Sequence, residues 1–389
     1  MAQVVIVGAR RTPIGALQGA LSEVKATGLG GIAIAAALAQ SGVGADQIDE
    51  VFMGIVLPAG VGQAPARQAS LAAGLPMSVP ATAVSKVCGS GMQAVIQACC
   101  QIAAGAAQIV VAGGMESMSN APYLAPDARR GARLGHKRLL DHMFLDGLED
   151  AYEPGRLMGS FAELCAQKYG FSREAQDFYA LDSLFRAQGA EASRAFAAEI
   201  APVQLPSREV ISADEQPRLA RPEKIPKLKP AFLTGGTITA ANASSISDGA
   251  AALILCEDAV AKASGFPVRA RIAGFAGHAQ EPGWFTTAPV AAAQKLLARI
   301  GWSVAEVDLW EVNEAFAVVA LAFMQDLDVP REKMNVNGGA CALGHPIGAS
   351  GARILVTLLH ALEARGLRRG VAAICIGGGE ALAVAIERS

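Results

Sequence analysis

The 389-residue sequence has few charges and few aromatic rings, and it lacks long apolar runs. Charged residues make up 17% and aromatic residues 5% of the chain, and 33 basic against 35 acidic side chains give a net charge of −2. Because no basic cluster stands out, nucleic acid and anionic membrane surfaces are poor partners. No uninterrupted apolar stretch reaches the roughly 18–20 residues of a membrane-spanning helix. We therefore expect a chain that binds neither nucleic acid nor a membrane.

The spacing of the cysteines matches no disulfide framework or metal-binding motif. They number seven, are scattered, and include no C-x-x-C pair. The sequence also has no H-E-x-x-H motif, so we expect neither structural disulfides nor a metal site. The first residues run directly into a strand-like pattern without a charged leader, and we expect a reduced, cytoplasmic protein.

Short β-branched runs alternate with longer Ala/Leu-rich helical patterns, and 52% of the residues are hydrophobic. This alternation predicts an α/β fold with sheets covered by helices on both faces. The predicted strands are Val4–Val7, Val51–Ile55, Ile109–Ala112, Ala251–Cys256, Leu309–Val312 and Ala372–Ile376. The predicted helices are Gly28–Gln40, Gly91–Ala104, Arg173–Glu199, Ala288–Ile300, Ala315–Leu327 and Gly351–Ala364.

The chain contains an internal repeat. The segment 48–54 resembles 307–313, and 108–116 resembles 372–380 more closely. In both copies a Gly-rich turn and a helix lie between the two strands, which indicates two related halves. We assign residues 1–118 plus 243–267 to the first half and 268–389 to the second.

The remaining residues, 119–242, differ from the two halves in composition and periodicity. Long stretches rich in Gly, Arg and Pro show little periodicity. Such segments in a compact protein are usually functional loops. We predict that they form an inserted loop domain.

Cys88 is the first candidate catalytic residue. It precedes the predicted helix Gly91–Ala104, and Gly89 and Gly91 let backbone N–H groups approach a bound oxyanion. The helix N-terminus should ease ionisation of the thiol, and the thiolate is the nucleophile. The alternative is a buried packing cysteine, which is the commoner role.

Two further candidates lie in Gly-rich segments of the second half. His345 stands in a turn before a helix, where it can take a proton from a thiol, although a turn histidine bonded to the backbone is the alternative. Cys375 is predicted at the carboxyl end of the last core strand, the edge where α/β sheets bind ligands. With the following glycines it could exchange protons with a substrate carbon, and Gly377 could donate its N–H.

The chain resembles the thiolase family over nearly its whole length. Six motifs occur in the family's order: Val87-Cys-Gly-Ser-Gly91, Gly113-Gly-Met-Glu-Ser-Met-Ser119, Asn242-Ala-Ser244, Asn313-Glu-Ala-Phe316, Gly338-Gly with Gly344-His-Pro-Ile-Gly-Ala-Ser-Gly351, and Cys375-Ile-Gly-Gly-Gly379. The resemblance implies a five-layer αβαβα core built from two duplicated halves, plus a loop domain.

The resemblance also implies a ping-pong acyl transfer between thiols. Cys88 would carry the acyl group as a thioester, and His345 would activate it. The His345 ring and Asn313, through a water, would bind the thioester oxygen of the second acyl-CoA. Cys375 would be the acid/base at the methyl carbon of acetyl-CoA. The N–H groups of Cys88 and Gly377 would stabilise the tetrahedral intermediate.

The substrate-binding residues implied by the resemblance are Ser244 and Arg218 toward coenzyme A, and Met158 and Phe285 at the acyl pocket. Two loops depart from the short-chain members of the family. Residues 157–159 are Leu-Met-Gly instead of His-Met-Gly, and residues 285–289 are Phe-Thr-Thr-Ala-Pro instead of Met-Gly-Thr-Gly-Pro, preceded by Trp284. The added apolar bulk of Trp284 and Phe285 bears on acyl-chain length.

The implied activity is that of an acetyl-CoA C-acetyltransferase, which converts two acetyl-CoA to acetoacetyl-CoA plus CoA and catalyses the reverse. A 3-ketoacyl-CoA thiolase of broader range is the nearest alternative, and a non-catalytic acyl-CoA or lipid carrier is an alternative of a different class. The implied ligands are acetyl-CoA and acetoacetyl-CoA or another short 3-ketoacyl-CoA. Coenzyme A is substrate or product, so no separate cofactor is expected, and the implied assembly is a homotetramer.

Overall fold

The computed structural model describes residues 2–389, which contain fourteen strands and eleven α-helices. In chain order the strands are β1 Val4–Arg11, β2 Gly15–Ala16, β3 Glu50–Gly54, β4 Ala81–Val84, β5 Ile109–Ser117, β6 Tyr123–Leu124, β7 Leu140–Asp141, β8 Val203–Gln204, β9 Val210–Ile211, β10 Ser247–Glu257, β11 Ala270–Ala279, β12 Leu309–Val312, β13 Arg369–Ile376 and β14 Glu380–Glu387. The helices are α1 Ala26–Ser41, α2 Pro65–Ala72, α3 Ser90–Ala103, α4 Met158–Tyr169, α5 Arg173–Ala192, α6 Gln216–Leu219, α7 Asp258–Ser264, α8 Ala288–Ile300, α9 Ala317–Leu327, α10 Ala340–Leu343 and α11 Ser350–Arg365.

The large sheet consists of two related sets of strands. One set has the order β4-β3-β5-β10-β1 and the other has the order β11-β14-β13-β12, and a short antiparallel contact between β1 and β11 joins them. In the first set β3 pairs parallel with β5, and β10 lies antiparallel on the other side of β5. In the second set β12 pairs parallel with β13, and β14 lies antiparallel beside β13. The pairings repeat in the order that the internal sequence repeat predicts.

Three hydrophobic clusters correspond to three layers of helices. Helices α1 and α2 pack on the outer face of the first strand set, and α8 and α9 cover the outer face of the second. Helices α3 and α11 lie between the two sets, and their buried side chains meet the inner faces of both. Helices and strands therefore alternate in five layers, which confirms the predicted α/β class.

The two central helices meet at two glycines. A Cβ atom on Gly91 would lie 2.9 Å from the Ala352 nitrogen, and one on Gly351 would lie 2.5 Å from the Met92 nitrogen. Only a residue without a side chain permits this approach of α3 and α11. The contact brings Cys88, just before α3, close to His345, just before α11.

Between β5 and β10 the chain leaves the large sheet. It forms the two-stranded pair β6 and β7, the helices α4, α5 and α6, and the pair β8 and β9. Residues 125–139, between β6 and β7, are exposed, and Leu134 is 90% exposed.

All six predicted strands are confirmed, and five of the six predicted helices agree with the structure within two residues at each end. The helix predicted over residues 173–199 ends at Ala192, because the chain turns there and Arg194 adopts a left-handed φ of 60°. The strand that carries Cys375 is not the last core strand, since β14 follows it and pairs along its whole length. Among residues 2–389, no helix has the length and apolar character needed to cross a membrane.

Candidate active site

Three chain segments meet at one end of the layer formed by α3 and α11. They are the turn before α3, which carries Cys88, the turn before α11, which carries His345, and the Gly-rich turn between β13 and β14, which contains Gly377. Cys88, His345 and Gly377 line the same cavity of about 370 Å³. The structure therefore brings together three of the residues singled out in the sequence.

The thiol of Cys88 lies next to the backbone N–H of Gly377. Burial raises the pKa of Cys88 to about 11, although the N–H groups of Gly377 and of Cys88 itself act to lower it. The sequence predicted a readily ionised thiol at a helix N-terminus. The structure differs, because desolvation outweighs the backbone donors, and a nearby base must take the proton before Cys88 can attack.

His345 is placed to be that base. Its Nδ1 atom lies 2.6 Å from the Ser350 hydroxyl, which itself donates to the Pro346 carbonyl oxygen at 3.0 Å. The single hydroxyl proton is used on Pro346, so Ser350 accepts from Nδ1–H and the Nε2 atom carries a free lone pair. Nε2 is buried and has no hydrogen-bond partner among residues 2–389. Burial, with Arg353 nearby, lowers the pKa of His345 to about 3, which keeps the ring neutral.

Cys375 lies fully buried near the end of β13. Burial raises its pKa well above the ordinary value, and negative charge on Cys88 raises it further. The two sulfur atoms are thus close enough to influence each other's ionisation. A thiol in this setting holds its proton tightly and, once ionised, is a strong base.

Asn313 follows β12 directly, and its backbone N–H donates to the Ala373 carbonyl of β13 at 2.9 Å. The residue is fully buried. In the part of the chain that the structure describes, neither Nδ2 nor Oδ1 of its amide has a hydrogen-bond partner. A buried amide without a partner is costly, so it indicates a polar group that is held ready for a ligand or a water.

The remaining walls of the cavity are mostly apolar. Met158 and Phe285, which the resemblance assigns to the acyl pocket, both line it, and so does Ser244, which the resemblance assigns to coenzyme A. Phe285 is 3% exposed and meets the ring of Phe316 at a centroid distance of 6.4 Å. Leu157, which replaces the usual histidine of this loop, also lines the cavity. Sequence reasoning missed other large apolar residues of the lining, among them Phe144, Leu148, Phe232, Ile246, Phe316 and Ile347.

Trp284 does not line this cavity, although the sequence analysis counted its apolar bulk, with that of Phe285, toward the limit on acyl-chain length. Its ring instead packs under the Lys168 ammonium group, with Nζ 4.5 Å from the ring centroid. The backbone turns between the two residues, since Trp284 has non-helical φ and ψ angles within this short helical segment. Only Phe285 therefore adds bulk to the pocket.

Arg218 also lies apart from this cavity. It is on α6 and forms an ion pair with Glu191 of α5. An adjoining cavity shares Ala240 and Ser245 with the acyl cavity, and its lining includes Arg221 and Lys224 rather than Arg218. These two cations were not singled out in the sequence, because the segment around them has no periodic pattern.

Ser350 and Glu116 are the other polar residues that sequence reasoning missed. Glu116, in the Gly113–Ser119 motif, accepts hydrogen bonds from the backbone N–H groups of Val56 at 2.9 Å and Gly348 at 3.0 Å. It therefore ties the turn that carries His345 to the end of β3. No group of three or more His, Cys, Asp or Glu side chains within residues 2–389 is arranged to hold a metal ion.

Comparison with known proteins identifies the family. Residues 4–259 match the family described as thiolase, N-terminal domain, and residues 266–388 match thiolase, C-terminal domain. A protein of Pseudomonas aeruginosa named acetyl-CoA acetyltransferase is 48% identical over 100% of both chains. Acetyl-CoA acetyltransferase 2 of Arabidopsis thaliana is 51% identical over 99% of this chain and 96% of that protein.

A solved structure shows the same fold. The crystal structure of Acat5 thiolase from Ascaris suum in complex with coenzyme A superposes with a TM-score of 0.95 at 43% sequence identity, and the match covers 100% of both chains. Full-length matches to both thiolase domains, together with this likeness, establish what the six motifs indicated. The chain belongs to the thiolase family.

Proposed function

We propose that this chain is an acetyl-CoA C-acetyltransferase that condenses two acetyl-CoA molecules to acetoacetyl-CoA plus CoA and catalyses the reverse thiolysis. One observation carries the proposal. Cys88, the free Nε2 face of His345 and the N–H of Gly377 all line one cavity, whose other walls are mostly apolar. The full-length relatives named acetyl-CoA acetyltransferases support it.

In the first half-reaction, His345 takes the proton of Cys88, and the Cys88 sulfur attacks the carbonyl carbon of acetyl-CoA. The developing oxyanion receives hydrogen bonds from the N–H groups of Cys88 and Gly377. Their proximity to the sulfur, which already lowers its pKa, fits this role. As the intermediate collapses, His345 gives the proton to the leaving sulfur, so CoA is released as a thiol and an acetyl thioester stays on Cys88.

In the second half-reaction, Cys375 gives its own proton to Nε2 of His345, and the resulting thiolate takes a proton from the methyl carbon of a second acetyl-CoA. The carbanion attacks the thioester carbonyl, and Cys88 leaves as a thiolate that takes its proton back from His345. Negative charge on the thioester oxygen of the second acetyl-CoA is stabilised by His345 and by Asn313 through a water. The amide of Asn313 fits this role, because neither its Nδ2 nor its Oδ1 has a partner among residues 2–389 and both are free to bind that water.

Short acyl chains should be preferred. Phe285 and Phe316 close one side of a cavity of only about 370 Å³. Each additional methylene that fits would contribute about 0.8 kcal/mol, but the rings occupy the volume it needs. A 3-ketoacyl-CoA thiolase of broader range shares these catalytic groups, whereas an inert carrier does not explain a thiol, an unpartnered imidazole nitrogen and a backbone N–H donor on one cavity.

We further propose that residues 119–242 act as a loop domain between two halves, residues 1–118 plus 243–267 and residues 268–389. Ser244 would contact the pantetheine part of CoA, and Met158 would contact the acyl group. Arg218 would reach only the nucleotide end, outside the acyl cavity. The exposed stretch 125–139, with its exposed Leu134 and Leu139, supports a role in joining dimers into a homotetramer. We propose a cytoplasmic location and no cofactor other than the CoA substrates.

The decisive experiment is a thiolysis series with 3-ketoacyl-CoA substrates of four to sixteen carbons, with condensation of acetyl-CoA measured in parallel. We expect the highest kcat/KM at four to six carbons and a steep fall by ten carbons. An optimum at ten carbons or more would favour the broader thiolase, and no turnover at any length would favour a carrier. Light scattering at micromolar concentration should give a tetramer mass, and a dimer mass would reject the role of residues 125–139.

A further inference from the structure

Glu314, the second residue of the Asn313–Phe316 motif, is a fully buried carboxylate with four hydrogen-bond donors. Its Oε1 atom accepts from the Tyr179 hydroxyl at 2.8 Å and the Asn335 amide at 2.7 Å. Its Oε2 atom accepts from the Ser183 hydroxyl at 2.8 Å and the Cys341 backbone N–H at 3.1 Å. Nothing in the chemistry assigned above uses this group.

The four donors come from three separate parts of the chain. Tyr179 and Ser183 are on α5, which lies in the insertion between β5 and β10, whereas Asn335 follows α9 and Cys341 is in the first turn of α10. The surrounding space is also adapted to the carboxylate. A Cβ atom on Gly339 would lie 2.3 Å from the Glu314 carboxyl carbon, so a side chain there would displace the group.

Through Asn335, the hydrogen bonds of Glu314 fix the backbone on either side of Asn313. Asn335 accepts from the Val312 N–H and donates to the Val312 carbonyl, both at 2.8 Å, and its amide also reaches Glu314. The backbone N–H of Asn313 is held by Ala373. The residues before and after Asn313 are thus held, while its own amide stays unpartnered within residues 2–389.

The same carboxylate also holds the segment that leads to His345. It accepts the N–H of Cys341, and the Ser183 hydroxyl accepts the neighbouring N–H of Gly339 at 3.0 Å. One turn later Gly344 donates to Ala340, and His345 follows, with its own N–H held by the Ser245 carbonyl. Glu314 therefore contacts both segments that supply a group to the second oxygen-binding site.

We propose that Glu314 is a positioning residue that sets the Asn313 amide at a fixed place relative to the His345 ring, through hydrogen bonds that α5 completes. The proposal rests on the proposed function, because it concerns the site for the thioester oxygen of the second acetyl-CoA. An oxyanion site works only when its donors are held in place before the reaction, and a misplacement of about 1 Å can cost roughly 10²-fold in rate. Glu314 does not touch the substrate.

The requirement is for a carboxylate in particular. Four donors converge on its two oxygens, and an ionised carboxylate has acceptor sites for all of them. Glutamine has the same shape but only one acceptor oxygen, and its NH₂ group would face two donors. In Glu314→Gln at least one buried donor would have no acceptor, and this cost would shift the segments that Glu314 holds together.

The test compares Glu314→Gln with the wild type in two separate assays. Intact mass after mixing with acetyl-CoA measures acetylation of Cys88. This step does not use Asn313, and the His345 residue that it needs is held separately by Ser245 and Ser350. A condensation assay measures the second half-reaction. We expect near-normal acetylation and a fall of about 10–10²-fold in the kcat of condensation, with KM little changed. Glu387→Gln is the matched control. Glu387 is a buried carboxylate at the end of β14 that pairs with Arg271 of β11 and Arg369 of β13, so both assays should stay normal.

Ser183→Ala keeps the proposal testable if Glu314→Gln does not fold. It removes one donor and keeps the charge, so we expect a smaller loss that is again confined to condensation. Equal losses in both half-reactions, or full condensation activity in a folded Glu314→Gln variant, would overturn the positioning role. A wild type that neither acetylates nor condenses would instead refute the proposed function itself.

Discussion

The Nδ1 atom of His345 lies 2.6 Å from the Ser350 hydroxyl oxygen, and this contact determines which ring nitrogen is the base. Ser350 is in the first turn of α11, and its proton goes to Pro346. The ring is thereby held with Nδ1 protonated and Nε2 free. A hydroxyl five residues along the chain thus selects the tautomer of His345.

Removing that hydroxyl should slow both half-reactions. In Ser350→Ala the ring can rotate and take the other tautomer, so we expect acetylation of Cys88 and condensation to fall together by about tenfold, as losing part of a general base implies. Ser70→Ala is the control, because Ser70 is also buried and its hydroxyl has no partner within residues 2–389. A loss in one half-reaction only would contradict this role of Ser350.

Alkylation identifies the nucleophile. Limiting iodoacetamide should modify Cys88 and the exposed Cys100, and acetyl-CoA should protect only Cys88. Because burial raises the pKa of Cys88 to about 11, its labelling depends on His345 as a base. His345→Asn should therefore slow labelling of Cys88 and leave Cys100 unchanged. Peptide mass spectrometry gives both rates, and activity loss that follows another cysteine would refute the assignment.

Cys88 and Cys375 should act in different half-reactions, so that loss of the Cys375 thiol impairs condensation but not acetylation of Cys88. Cys375→Ser replaces a thiol by a hydroxyl that is a much weaker acid, so proton removal from the methyl carbon should fall by about 10²–10⁴-fold. Cys88 should still be acetylated, and intact mass should show the adduct persisting. Failure of a folded variant to form the adduct would show that Cys375 acts before condensation.

Phe285 should limit chain length. Phe285→Ala removes a ring from the cavity wall, so we expect the preferred 3-ketoacyl-CoA to lengthen by at least two carbons, at a stability cost of about 3–5 kcal/mol. Trp284→Ala is the matched control, since its ring lies against Lys168 and outside the cavity. Thiolysis kcat/KM across the substrate series measures both, and an unchanged profile in Phe285→Ala would show that other residues set the limit.

Glu116 should make stability depend on pH. Burial raises its pKa to about 7 from the ordinary 4.5, against the hydrogen bonds from Val56, Leu57 and Gly348, and Asp248 raises it further. A raised folded-state pKa means that the unfolded chain releases the proton first. The contribution to stability is therefore complete below pH 4.5 and is lost as the pH rises through 7.

Glu116→Gln cannot ionise, so it lacks this dependence. Between pH 5 and 8 the free energy of unfolding of the wild type should fall relative to the variant by about 2–3 kcal/mol, since one pKa unit corresponds to about 1.4 kcal/mol. Denaturant unfolding at several pH values measures the difference. A constant gap between the two proteins would show that Glu116 ionises as readily in the folded state as in the unfolded one.

The sequence by itself predicted the α/β class, the two related halves and three residues that line one cavity. Hydrophobic periodicity predicted the central strands and helices, because burial on one or both faces imposes a repeat that can be read locally. The internal repeat predicted the paired strand sets, and the motifs predicted that Cys88 and His345 belong to one cavity. β14 was missed because its mostly apolar residues, 380–387, were read as following the last strand.

The tertiary structure alone decided the properties that depend on contacts between distant residues. Burial raises the pKa of Cys88, whereas its position before α3 had suggested the opposite. The backbone around residue 284 turns Trp284 away from the pocket. Glu314 meets Ser183, which is 131 residues earlier in the chain. Desolvation and hydrogen-bond geometry are set by which segments pack together, and local sequence carries no record of that.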